Sequence, residues 1–185
     1  MGKRMLIALV VALLVAGGAG IAAATQSRPA LSAHGPTRVS GTDATAVFRV
    51  GDRTVRQVRY QDRGTLGYTF VLANDGRLPV TVTGLGEQHP QPKLFRYTGI
   101  EDGHGSEAFT IPAGERREVR LSMLMVSCET LSARAGSFAT HVNLSTSRAG
   151  ILEDQVVVEL PEEVHTGSPR EAFCPRATAD SRPPG

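Results

Sequence analysis

The sequence has no tryptophan, two cysteines and two lysines among 185 residues, and only 5% of it is aromatic. Without tryptophan, and without an early first cysteine, the chain lacks the Cys–Trp–Cys spacing of an antibody-type domain. It has no Cys-x-x-Cys, which removes the usual redox and zinc signatures. It also has little surplus charge: 20 Lys+Arg face 18 Asp+Glu. Lys3 and Arg4 precede the first apolar run and no acid occurs in residues 1–24, so the remainder carries 18 basic against 18 acidic residues. A neutral body argues against nucleic-acid binding, which needs a basic face. There is no Gly-x-Ser-x-Gly elbow and no Ser-x-x-Lys with a Lys-Thr-Gly partner. No phosphate or dinucleotide loop follows a strand. The chain is read as a non-enzyme without a cofactor.

What is present begins with an address. Lys3 and Arg4 are followed by an apolar and small-residue run from Met5 to Ala24. Positive charge followed by an apolar stretch is the pattern of an export signal. Ala22 and Ala24 fit a cut before Thr25. The run is also 20 residues long, counting from 5 to 24, which suits an uncleaved, single-pass anchor. The positive-inside rule would keep Lys3 and Arg4 in the cytoplasm. Both readings place the rest of the chain outside the membrane, and the length of the run favours the anchor. No cysteine lies nearby, so a lipoprotein anchor is excluded.

Cys128 and Cys174 are the only cysteines. An even pair in an exported chain is expected to form a disulfide. Closing a loop of 46 positions contributes about 4 kcal/mol in the chain-entropy model. The expected task of this bridge is to hold the C-terminal tail to the body.

Residues 25–44 are small, polar and interrupted by Pro29 and Pro36, and read as a flexible linker. From Thr45 the pattern alternates. Ala46, Phe48 and Val50, then Val55 to Tyr60, then Leu66, Tyr68, Phe70 and Leu72 follow a period of two. Asn74-Asp75-Gly76 is a turn signal. Val80 and Val82, and Leu94 to Tyr97, are further strands. Phe109 and Ile111 precede the turn Pro112-Ala113-Gly114-Glu115. Val119, Leu121, Met123 and Met125 share one face. Phe138, Thr140, Val142 and Leu144 are expected to share another. Gln155 to Leu160 is the last strand, ended by Pro161. Seven to eight short strands separated by turns over residues 45–162 predict an all-β antiparallel sandwich. Residues 163–185 are expected to be a tail.

The segment from Leu66 to Leu85, with its strand, its Asn-Asp-Gly turn and its Pro79-Val80 strand start, resembles bacterial Ig-like envelope domains. Ile111-Pro-Ala-Gly-Glu115, the strand Val119 to Ser122 and Cys128 are similar to the next segment of such domains, a Pro-Gly turn, a strand and a cysteine. The resemblance covers about residues 45–160 and is to signal-anchored envelope proteins of high-GC Gram-positive bacteria. It implies an Ig-like fold and an extracellular address, and carries across no catalytic residue. The choice of Arg over Lys, with abundant Ala, Gly and Val, has the same bacterial bias. The sequon Asn143-Leu144-Ser145 is then a formal match only.

Several clusters invite a chemical reading. Ser137 and His141 fall four apart in a strand and would share a face, without the acid that a triad needs. Glu101-Asp102-Gly103-His104-Gly105-Ser106-Glu107 could offer hard oxygen ligands to Ca²⁺. Met123, Met125 and Cys128, with His89, His104 or His141, could offer soft ligands to Cu(I). Core packing accounts for the two methionines. Arg53, Arg56, Arg59 and Arg63, and separately Arg116, Arg117 and Arg120, could form patches for anionic lipid or cell-wall polymer. The interspersed acids Asp52, Asp62, Glu115 and Glu118 favour a solvated face instead.

The reading that results is an exported, membrane-tethered binding or accessory module of the cell envelope. Its partner would be an envelope protein or a wall polymer, met through the loops Gly86–Gln91 and Ile100–Glu107. Copper or calcium binding is the alternative.

Overall fold

The computed structural model describes residues 29–42, 45–126, 137–148 and 150–166. These residues form two β-sheets packed face to face, with no helix among them. The four-stranded sheet has the order β1 (Leu31–Ser40), β4 (Thr65–Asn74), β8 (Arg116–Met125), β6 (Phe95–Asp102). The six-stranded sheet has the order β2 (Thr45–Val50), β3 (Arg53–Val58), β10 (Leu152–Thr166), β9 (Phe138–Arg148), β5 (Val80–Leu85), β7 (Phe109–Ile111).

The period of two decides what lies between the sheets. Leu66, Tyr68, Phe70 and Leu72 of β4 point inward and are fully buried, as do Val119, Leu121, Met123 and Met125 of β8. Val82, Ile111, Val142, Leu144 and Val158 meet them from the other sheet. Burying each sheet's apolar face against the other's is the main source of stability.

Several expectations are corrected. The stretch 25–44 is not a spacer throughout: Leu31–Ser40 is edge strand β1, paired antiparallel with β4 from Leu31↔Asn74 to Ser40↔Gly67. Its pairing shifts between His34 and Arg38, around Pro36. An edge strand accommodates a proline at such an irregularity because no ladder donor is needed there. Gly41 then turns the chain at φ 76°, against the Thr65 carbonyl, where a side chain would collide.

The sandwich is also not wholly antiparallel, and the described residues form ten strands. β10 pairs parallel with β3 from Glu163↔Val55 to Thr166↔Val58, while pairing antiparallel with β9. Pro161 does not end this strand. Residues 160–163 lack β9 partners, so Pro161 sits in a bulge and the strand resumes beyond it. The body therefore extends to Thr166 rather than 162.

The same bulge shifts the phase of β9. Ala139, Val142 and Leu144 are buried, whereas Phe138 is half exposed. Phe138 thus leaves the face that simple alternation assigned to it. Residues 5–24, Cys128 and Cys174 lie outside the described residues.

Candidate functional site

The bulge opens the outer face of the six-stranded sheet. A groove of about 590 Å³ lies there, bounded by Asp52 and Arg53 at the start of β3, His89 and Pro90, Thr140 and His141 of β9, and Val157 and Glu159 to Glu163 of β10. Val157 is 62% exposed on its floor. The wall contributes Asp52, Glu159, Glu162 and Glu163 against a single arginine, Arg53. Glu162 turns inward and pairs with Arg56, and both side chains are largely buried. Arg56 also donates to Thr37 Oγ1 of β1 at 3.0 Å, which ties the two sheets together. Tyr68 is buried beside this pair; burial first, then the Glu162 charge, push its phenol far above the ordinary range.

A second groove, of about 570 Å³, adjoins the first. It is lined by Phe48 and Val50 of β2, Val55 of β3, Phe138 of β9 and His165 of β10. The Arg53–Glu163 ion pair, at 2.7 Å, stands in the lining of both. His165 stacks on Phe138 with ring centroids 4.4 Å apart. Burial lowers the His165 pKa, and the nearby Glu163 charge partly opposes that.

The loop 86–91 reaches the first groove through His89 and Pro90. Gln88 fixes it from below: its amide nitrogen donates to the carbonyls of Gly86 and Asn143, and its amide oxygen accepts from Asn143 N–H at 3.0 Å. Asn143, the sequon residue, is buried in this arrangement. The second expected loop is partly strand, since β6 runs to Asp102. It sits at the other end of the sandwich, near the β8 start.

That loop is organised around Asp102 rather than around an ion. Asp102 Oδ1 accepts from the His104 and Ser106 backbone N–H groups at 2.9 and 3.0 Å. Its Oδ2 accepts from Arg117 at 2.9 Å. The Ser106 backbone bond is the main cause of a carboxyl pKa below the ordinary value. The copper set is likewise separated. Met123 and Met125 are core residues, and the Met125 sulfur accepts from the Gln61 N–H at 3.0 Å. His104 and His141 lie near opposite ends of the strands, and Cys128 is outside the described residues. Among the described residues no three His, Cys, Asp or Glu side chains come together to hold a metal.

Ser137 and His141 do not share a face. Ser137 is buried beside Thr166, whereas His141 lines the outer groove, because the β9 phase shifts between them. The arginine groups divide between the sheets and meet acids: Arg53 with Glu163, Arg56 with Glu162, Arg117 with Asp102 and Arg120 with Glu101. Alternation alone hid the grooves. The usable signals were Pro161 inside an apolar run and Phe138 beside Ser137.

No family model matches the chain, and no curated protein does. Among solved structures, the chain is similar to the cupredoxin domain of AmoB from Nitrosocaldus yellowstonii. The identity is 14% and the TM-score 0.27, with 65% of each chain covered. The chain thus spans about two thirds of that domain's length. The class defined by the fold is a two-sheet β-sandwich with an open, grooved outer face.

Proposed function

We propose that this protein is an exported, membrane-tethered binding module of a bacterial cell envelope, and that it recognises a partner with the outer face of its six-stranded sheet. The observation that carries this reading is the groove between β3, β9 and β10, with exposed Val157 on its floor and an acidic wall. Glu162 is matched by Arg56 and Glu163 by Arg53, so Asp52 and Glu159 give the groove its surplus of negative charge, which favours an extended protein segment that carries basic side chains. Among the described residues β2 pairs only with β3 and stands at the end of the sheet order, one strand from this groove.

The tether is consistent with this use. With an anchor ending at Ala24, residues 25–30 alone separate it from β1, a reach of about 20 Å. The chain enters where Leu31 pairs with Asn74. The grooves lie toward the opposite end, where Thr166 N–H donates to the Ser137 carbonyl. Tethering at the Asn74 end leaves them open to partners away from the bilayer.

The test is capture of the partner from solubilised envelopes by the full chain and by an Asp52→Lys/Glu159→Lys variant. Both positions line the groove, so the variant is expected to lose capture by tenfold or more while its thermal midpoint stays within a few degrees. Equal capture by the two proteins would mean that the groove takes no part in recognition.

A further inference from the structure

A sheet edge presents unpaired N–H and C=O groups, and natural proteins defend such edges with short strands, bulges, prolines or charges. Three of the four edges among the described residues are defended in this way. β1 is interrupted around Pro36, where its pairing with β4 shifts. β6 shifts its pairing with β8 between Tyr97 and Gly99. β7 is only three residues long. β2 has none of these devices. It pairs with β3 without interruption from Thr45↔Val58 to Val50↔Arg53, and Arg49 is its one charged residue. All of β2 is exposed, including Val47 at 51%, Phe48 at 42% and Val50 at 49%. Phe48 and Val50 line the apolar hollow with Val55 and Phe138, and alternation puts Val47 on the opposite face.

The chemistry of this edge selects its occupant. A lipid surface would leave the free N–H and C=O groups without hydrogen-bond partners. An extended strand supplies those bonds, and a second β2 also supplies matching side chains. Antiparallel pairing of two copies about a two-fold axis at Phe48 sets Phe48 against Phe48, Ala46 against Val50 and Val47 against Arg49. This register draws all three exposed apolar residues into the pair and sets each Arg49 opposite a valine. An axis at Val47 would leave Val50 outside the paired strands, and an axis at Arg49 would oppose like charges.

We infer that two copies of this chain join through β2 in the register centred on Phe48, which extends the six-stranded sheet continuously from one copy into the other. The axis is normal to the sheet. Both copies therefore turn their outer grooves to one side and their four-stranded sheets, which hold β1, to the other. The pairing lies in the plane of the sheet and needs no envelope partner, so it stands or fails separately from recognition by the acidic groove.

Sedimentation of the full chain in detergent micelles provides the test. A six-residue edge makes a small interface, so a monomer–dimer equilibrium with half-dissociation at about 1–100 µM is expected. Val47→Lys faces Arg49 of the other copy with a like charge and should raise that concentration tenfold or more. Val47→Glu faces the same arginine with an opposite charge and should lower it several-fold. Val47 is exposed, so both variants should keep the thermal midpoint of the dilute monomer. In a mixture of differently labelled natural chains, nuclear Overhauser contacts are expected from the Phe48 ring of one copy to the Val50 methyls of the other. A natural chain that stays monomeric across this range would overturn the inference. So would a dimer that responds alike to Val47→Lys and Val47→Glu, or one without contacts between Phe48 and Val50 of different copies.

Discussion

Asn74 donates from its side-chain amide to the carbonyls of Leu78, Ile111 and Pro112 at 2.9–3.2 Å, and its oxygen accepts from Gly76 N–H. One buried side chain thus closes the turn and joins the two sheets at that end. Asn74→Ala would strand buried carbonyls, and denaturant unfolding should show a loss of about 2–3 kcal/mol. The Arg56–Glu162 pair makes a sharper case. Glu162→Gln leaves a buried guanidinium without its counter-charge and should cost about 3–5 kcal/mol, whereas the double change Arg56→Met/Glu162→Leu should come close to neutral. His165 sets a pH dependence. Its folded pKa lies below the ordinary 6.5, so the folded state binds fewer protons than the unfolded one. Its contribution is present above pH 6.5 and is lost as the pH falls through the folded value. Thermal midpoints between about pH 7.5 and 5 should fall more steeply for the natural chain than for His165→Gln. Asp102 adds a separate acid limb below its ordinary 3.8, because its folded pKa is also lowered. Since its oxygens already accept from His104, Ser106 and Arg117, chelator treatment should leave the thermal midpoint unchanged.

At the level of strands, those with one buried face were legible in the sequence and bulged ones were not. β4 and β8 alternate without interruption, so their inward residues follow directly from the sequence. Phe70→Ala there should cost about 3–5 kcal/mol, whereas Val157→Ser on the outer face should stay within about 0.5 kcal/mol. β1 was unreadable because an edge strand can carry Pro36, Gly35 and polar residues without losing its pairing to β4. β10 runs past the end that its sequence suggests: proline usually stops a strand, yet Pro161 falls where β9 offers no partner. The bulge has a second effect. It turns Phe138 and His141 to the outer face and so builds the candidate site, which a strict period of two could not reveal. The described residues break off after Val126, which bonds Leu94, and after Thr166, which bonds Ser137, and both cysteines lie outside them. We propose that Cys128 and Cys174 form a disulfide, so thiol titration of the exported protein should find no free thiol; two reactive thiols would overturn it.

For the whole molecule, composition pointed to the class and topology built the working face. A neutral, alternating, turn-rich chain makes a two-sheet sandwich, and the leader with Lys3 and Arg4 makes it an exported one in our proposal. Motifs do not reveal the proposed recognition surface because the groove is assembled from β3, β9, β10 and the Gln88 loop, which are far apart in sequence. In our proposal, binding uses this face and not the outer side of the four-stranded sheet. Photo-cross-linking in intact envelopes distinguishes the two faces, with the reactive group placed at Val157 in one full-length chain and at Thr98, on the four-stranded sheet, in another. One dominant adduct from Val157 and none from Thr98 is the predicted result. Adducts from Thr98 alone, or no adduct from Val157 in well-expressed protein, would contradict it.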